Sequence, residues 1–365
     1  MHDNATNGSV YNSISEAKLY GRFIKYIQLN KLCTLEFPTP IKEVNIFIDF
    51  SQLIMPLYQF DDIVDPFGVL ATMVNMPLHY RNFFKKCGIK SNIFVIYSSN
   101  DSSNNYRFIS GYNNKNISLV NNSPIKSVVD HNIELMKTLF PYIPGVYLKL
   151  GTVEPTVIAA DLIDKFTRNG LDIPSIFITS SEYSFQLPTI LPNTKVFFKK
   201  STINKELSIL EDTSFSFNYT NALFAYILRT KKKDTTNNDT FDIPQTWVSP
   251  FMILTGLQCR DVKALFNYSQ AIRVLSYIKN TQMVVTPESI YNAIMDTAKK
   301  NVFVTKEEIA SRYCAIDIAY QLKLYRELPE SIESSFLKDL NDPQALYDIV
   351  NTYFGTNNTI DLSKI

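Results

Sequence analysis

Three short stretches, Val44–Asp49 (VNIFID), Asn92–Tyr97 (NIFVIY) and Ser175–Thr179 (SIFIT), decide the fold class. Each is a run of β-branched and aromatic residues with few polar interruptions, bounded by polar segments. Such runs suit parallel strands that are buried on both faces. Val146–Leu150 and Lys195–Lys199 read as two further strands. Between them lie stretches of helical periodicity: Pro66–Cys87, which Pro77 is expected to kink, then Pro124–Phe140 and Glu154–Arg168. The alternation predicts an α/β fold with a mainly parallel central sheet flanked by helices. After about residue 215 the strand signals fade. Asn218–Arg229, Ser249–Leu254, Ala264–Ile278, Pro287–Lys299, Lys306–Leu324 and Pro343–Phe354 all read as helices. The expected organisation is therefore an extension over residues 1–40, an α/β domain over 41–215 and a helical C-terminal region over 216–365.

The extension begins with a polar stretch, Asn4–Ser13. An amphipathic stretch follows, Ser15–Leu32, with Ile14, Leu19, Phe23, Ile24, Ile27 and Leu29 apolar. It reads as a helix that packs on the body or docks a partner. Ser98–Ser123 is rich in Ser and Asn and reads as a long loop or arch. Thr230–Asp242 (TKKKDTTNNDTFD) is the clearest loop.

Composition removes several function classes. The 365 residues are 45% hydrophobic, enough for a sizeable core. The formal net charge is +1, with 36 basic against 35 acidic residues, so the chain has no global basic excess of the kind that phosphate neutralisation demands. The four cysteines, Cys33, Cys87, Cys259 and Cys314, form no CxxC pair and read as reduced thiols in a cytoplasmic protein. The N-terminus has no apolar run, so no secretory signal is expected, and no stretch is long and apolar enough to span a membrane. The three histidines, His2, His79 and His131, have no mutual spacing that suits a metal or a triad, and there is no P-loop and no GxGxxG, so no cofactor is expected. Abundant Asn, Ile, Lys and Tyr beside only 10 Gly fit an AT-rich genome of the kind found in many viruses, phages and parasites; the compartment for a viral chain is the host cytoplasm.

The order of the motifs is more specific than any one of them. IFIDFSQLI ends its strand on Asp49; IFVIYSSND ends at Ser98 and leads into the polar segment YRFISGYNNKN; VEPTVIAADLI opens a helix after Glu154; ITSSEYSFQL and ILTGLQCRDVKAL follow. In this order, over about residues 44 to 280, the chain resembles the flap endonuclease and 5′-to-3′ exonuclease family of PIN-like nucleases. The resemblance implies a metal-dependent nuclease fold with an arch that contacts single-stranded DNA and a helix–three-turn–helix element that grips duplex backbone.

It also implies where the chain departs. Asp49 and Glu154 match acidic positions of the family. Aspartate positions fall on Ser98, Thr156, Val157, Ser181, Tyr183, Leu257 and Arg260. In the arch, Arg107 and Tyr112 match, while Asn113 and Asn116 stand at the lysine and arginine positions. Gly256 fits the opening of the duplex-binding element, but the hairpin that follows, FNYSQA, has no glycine. Two-metal cleavage needs a cluster of carboxylates that hold divalent ions about 4 Å apart. Val157 and Leu257 offer no ligand atom, and Arg260 brings a positive charge that repels metal. Asp49 and Glu154 are then vestigial, and Asp49 reads as a structural acceptor at a strand end.

The expected function is a catalytically inactive nuclease-fold protein, a binding or scaffolding subunit of a larger viral or phage nucleic-acid-processing complex, with other protein subunits as partners and no metal. Phe (25) and Tyr (21) are numerous, and aromatics are favoured at protein interfaces. One alternative is a non-catalytic protein that binds single strands or junctions through Tyr106, Arg107, Tyr112, Lys199, Lys200, Lys231, Lys232, Lys233, Arg260 and Lys263. Another is a divergent active nuclease that uses Asp49, Asp101, Glu154, Asp161 and Asp261, with Glu154 and Asp161 on one helix face.

Overall fold

The computed structural model describes residues 41–55, 58, 66–98, 122–151, 153–171, 173–199, 201–204, 209–212, 215–230, 243–260, 262–297, 303–327, 344 and 348. The N-terminal extension, the arch, the Thr230–Asp242 loop beyond Thr230 and nearly all of Pro343–Phe354 lie outside them.

Eight strands are present among these residues: β1 (Glu43–Asp49), β2 (Lys90–Ser98), β3 (Val146–Gly151), β4 (Ser175–Thr179), β5 (Thr194–Phe198), β6 (Ser201–Asn204), β7 (Ile209–Asp212) and β8 (Phe215–Phe217). Six of them form one sheet in the order β3-β2-β1-β4-β5-β8. The β1–β2, β1–β4, β2–β3 and β4–β5 pairs are parallel; β8 alone runs antiparallel, with Val196 opposite Phe217. The predicted α/β class and mainly parallel sheet are therefore observed.

Helices cover both faces. α1 (Pro66–Lys86) and α2 (Lys126–Leu139) lie on one side, and α3 (Pro155–Arg168) on the other. The strand runs are apolar on both faces, yet alternation decides what each residue meets. Ile46, Ile48, Ile93 and Val95 join the α1–α2 core, whereas Phe47, Phe94, Ile96 and Phe177 join the α3 core. On that second face Phe47, Phe94 and Tyr147 form a row across three strands, with ring centroids 4.8 and 5.1 Å apart. Each fully buried aromatic contributes roughly 2–3 kcal/mol of transfer free energy.

The helices that follow are α4 (Ala222–Thr230), α5 (Val248–Thr255), α6 (Tyr268–Asn280), α7 (Pro287–Thr297), α8 (Lys306–Ile316) and α9 (Ile318–Arg326). They join the α3 side of the core. Phe185 stacks on Phe217 at 4.3 Å and meets Tyr226 of α4 at 5.5 Å, and Tyr226 meets Phe251 of α5 at 6.2 Å.

Pro77 sits inside a single helix, Pro66–Lys86. Three expectations need correction. Strands β6, β7 and β8 lie between 201 and 217, where the sequence carries no strand signal. β6 and β7 are four residues each and pair only with one another, so their local signal is weak. α6 starts at Tyr268 rather than Ala264, because Asn267 and Gln270 form a reciprocal capping box. The stretch Lys306–Leu324 is two helices, broken at Asp317, whose backbone is extended. Asp317 caps α9 by accepting from Tyr320 N at 2.8 Å, and its other oxygen accepts from Ser249 Oγ at 2.7 Å. Gln186 bridges the break: its Nε2 donates to Ile316 O at 2.9 Å and its Oε1 accepts from Ile318 N at 3.2 Å. A side chain 130 residues away thus satisfies the backbone groups that the break exposes.

Candidate functional site

In a parallel sheet the C-terminal strand ends and the helix starts converge on one edge, where side chains from distant segments meet. β1 ends there on Asp49, β2 on Ser98 and β4 on Thr179, while Glu154 is the residue from which α3 begins.

Asp49 is fully buried. Its Oδ1 accepts from Gln52 N at 3.1 Å and so caps the one-turn helix Phe50–Leu53, and its Oδ2 accepts from Thr179 Oγ1 at 2.7 Å. Thr179 Oγ1 in turn accepts from Ser181 N at 2.9 Å, and Ser181 Oγ donates to Glu154 Oε1 at 3.2 Å. Glu154 Oε2 lies 3.5 Å from Arg260 Nη2, and the Arg260 guanidinium carbon stands 4.2 Å above the centroid of the Tyr183 ring. One continuous chain of contacts therefore links Asp49, Thr179, Ser181, Glu154, Arg260 and Tyr183. Burial pushes the Asp49 carboxyl up to about 8, and the Glu154 charge adds to the rise against the opposing bonds from Thr179 and Gln52. The shift favours the protonated form of Asp49. Burial also raises the Tyr183 phenol far above its ordinary range.

The remaining positions of the resemblance are used by the fold. Ser98 N donates to Ser51 Oγ at 2.8 Å, Ser51 Oγ donates to Ser98 O at 3.1 Å, and Ser98 Oγ donates to Val153 O. Thr156, Val157 and Leu257 are buried, with Val157 and Leu257 in the apolar core. Asp161 does not turn toward Glu154. Its oxygens take Lys165 Nζ at 2.7 Å and Arg326 Nε at 2.8 Å.

Of the candidate nucleic-acid contacts, Tyr106, Arg107, Tyr112, Lys200, Lys231, Lys232 and Lys233 lie outside the described residues, as do Asp101 and Asp261. Lys199 is half-buried just beyond β5, its N–H donating to Thr179 O at 2.7 Å, and Lys263 is exposed. Arg260 differs from both. It is 2% exposed and turned inward on Glu154 and Tyr183, so its charge is spent inside the protein and does not reach a phosphate. Three contributors escape a reading of motifs: Ser51, which pairs with the end of β2; Tyr183 as the ring beneath a guanidinium; and Arg326, 165 residues from its partner Asp161. Their only sequence signal is identity, since their partners are set by the fold.

The divalent ions that the resemblance implies do not fit this donor set. Asp49 is driven toward its protonated form with both oxygens engaged, Glu154 faces a guanidinium, and hydroxyls stand at Ser98 and Ser181. Among the described residues no three His, Cys, Asp or Glu side chains come together in an arrangement suited to a metal.

No protein-family model and no curated protein matches the chain. Solved structures do. A flap endonuclease of bacteriophage T5 in complex with DNA and metal ions matches at 11% identity over 88% of this chain and 97% of that one, with a TM-score of 0.43. The T5 5′-exonuclease with bound zinc matches at 10% identity, over 88% and 97%, with a TM-score of 0.42. A T5 protein co-crystallised with metal ions matches at 10%, over the same shares, with a TM-score of 0.40. Among the described residues no helix is long and apolar enough to cross a membrane.

Proposed function

We propose that the chain is a catalytically inactive nuclease-fold protein that serves as a binding or scaffolding subunit of a nucleic-acid-processing complex. The observation that carries this reading is the state of Asp49. A metal ligand must present an anionic oxygen, whereas Asp49 is buried, bonded at both oxygens and pushed up to about 8. The other acidic residue of the pocket, Glu154, has one oxygen on Ser181 and the other against Arg260. Asp161, which an active alternative would enlist, is held by Lys165 and Arg326.

Apolar side chains that the helical part leaves exposed are available to a protein partner. Val284 is 79% exposed and Met295 52%. Non-catalytic binding of nucleic acid is the second reading, favoured by Lys199, whose N–H donates to Thr179 O at 2.7 Å, and by the exposed Lys263.

The test is a titration of the purified chain against labelled single-stranded, duplex and flap DNA and the RNA equivalents. It is run with magnesium or manganese at two salt concentrations, with a gel of the same samples. The proposal expects no cleavage under any condition. Cleavage that disappears in Asp49→Ala would sink it. Binding without cleavage that weakens steeply with salt selects the nucleic-acid reading.

A further inference from the structure

We infer that Arg260 is the resident cation of the Asp49–Glu154 site, a guanidinium that the fold itself holds against Glu154 in place of a divalent ion. The inference rests on the non-catalytic reading above and deepens it by assigning what the pocket holds instead of metal.

Three observations carry it. First, Arg260 is 2% exposed. A guanidinium does not shed its charge in a protein, so burial is tolerated only with a counter-charge and close packing. Glu154 supplies the charge, with Oε2 3.5 Å away and its side chain 13% exposed. Tyr183, itself fully buried, supplies the aromatic face at 4.2 Å. Second, the segment that carries Arg260 is built for this placement. Gly256 has a φ of +79°, and a Cβ there would stand 2.5 Å from Val262 O and 2.6 Å from Ala264 N. Only glycine permits that close return. The turn is then closed by Leu257 N to Val262 O at 2.9 Å, Val262 N to Leu257 O at 3.1 Å and Arg260 N to Leu257 O at 3.1 Å. Third, Glu154, the carboxylate that Arg260 faces, is linked to Asp49 through Ser181 and Thr179, so the cation is fixed at one end of a connected pair of carboxyls. Two cations on one carboxylate repel, so a guanidinium seated here opposes the entry of metal.

The full chain is melted with EDTA, with magnesium and with manganese, as wild type and as Arg260→Gln, Arg260→Lys, Glu154→Gln and the Arg260→Gln/Glu154→Gln double variant. The wild-type melting temperature is expected to stay within about 1 °C across the three conditions, as for a protein without a metal linkage. Arg260→Gln should lower it by roughly 5–10 °C. Arg260→Lys should lower it by less, because the charge is kept and only the planar stack on Tyr183 is lost. The double variant should melt above the sum of the single losses, since each single variant leaves one member of the pair alone.

A wild-type melt that rises with manganese and loses that rise in Glu154→Gln would overturn the inference. So would strictly additive single losses. If Arg260→Gln does not fold, the wild-type metal arm and the Arg260→Lys melt still decide. The two proposals fail separately: cleavage of DNA by wild type removes the non-catalytic reading, whereas additive melts remove the role of Arg260.

Discussion

Asp49, at the end of β1, and Asp161, within α3, are both buried aspartates, and the fold treats them in opposite ways. Asp161 is 2% exposed but has two cations on its oxygens, Lys165 at 2.7 Å and Arg326 at 2.8 Å. Asp49 is fully buried and bonded to neutral groups, the Thr179 hydroxyl and the Gln52 amide, with the Glu154 charge nearby. The first is half of a clamp that holds α9 on α3. The second is driven toward its protonated form, with its carboxyl pushed up to about 8. Burial alone does not say what a carboxylate does; the charge of its neighbours decides.

The largest effect expected from this contrast is in Asp49→Asn. The folded-state value of about 8 lies above the ordinary 3.8, so between these pH values the folded chain keeps a proton that the unfolded chain has released. Stability from this group is therefore fully present below about pH 4, falls as pH rises through the interval and levels off above about pH 8. Asparagine mimics the protonated acid and removes that slope. Relative to wild type, Asp49→Asn should gain on the order of a few kcal/mol between pH 4 and 8 in denaturant unfolding. Parallel stability curves for the two proteins would show that Asp49 is ionised in the folded state.

Arg326→Gln comes next. It leaves Asp161 with Lys165 alone and frees α9, and should cost about 1–3 kcal/mol, a value discounted because Arg326 is 35% exposed. The loss should shrink in high salt. An unchanged unfolding midpoint would mean that the clamp contributes nothing to stability.

Glu154→Gln sharpens the Asp49 side. Burial remains while a repelling charge is removed, so the pH at which Asp49 titrates should move down, by at most about one unit. NMR titration of the Asp49 carboxyl measures this, and an upward move would contradict the coupling. Lys165→Gln should have the smallest effect. Lys165 is 50% exposed and Arg326 still serves Asp161, so a loss below about 1 kcal/mol is expected. A larger loss would make Lys165, rather than Arg326, the main partner.

Much of the sheet could be read from the chain because its signal is local. VNIFID, NIFVIY and SIFIT are apolar runs of strand length, and they became β1, β2 and β4 within one or two residues at each end. The capping box of α6 is equally local, yet apolar periodicity alone extends the expected helix back to Ala264, past the cap at Asn267. The break at Asp317 could not be read this way. Residues 306–324 have helical periodicity throughout, and the groups that stabilise the break, Ser249 and Gln186, are supplied from 68 and 130 residues away. β8 likewise needs its partner β5 before it is a strand at all.

The candidate site divides along the same line. Sequence alone determined which chemical groups are present: two carboxyls at Asp49 and Glu154, hydroxyls at Ser98 and Ser181, a permanent cation at Arg260. Side-chain chemistry is a property of each residue, so an excess or a shortage of anionic ligands is visible without coordinates. Tertiary structure alone decided the state of those groups. It buried Asp49 among neutral hydrogen-bond donors, set Arg260 on Tyr183 against Glu154, and gave Asp161 its two counter-charges. Proton affinity and pairing depend on distance and solvent exposure, and both are fixed only when strands and helices that are far apart in sequence meet at one edge of the sheet.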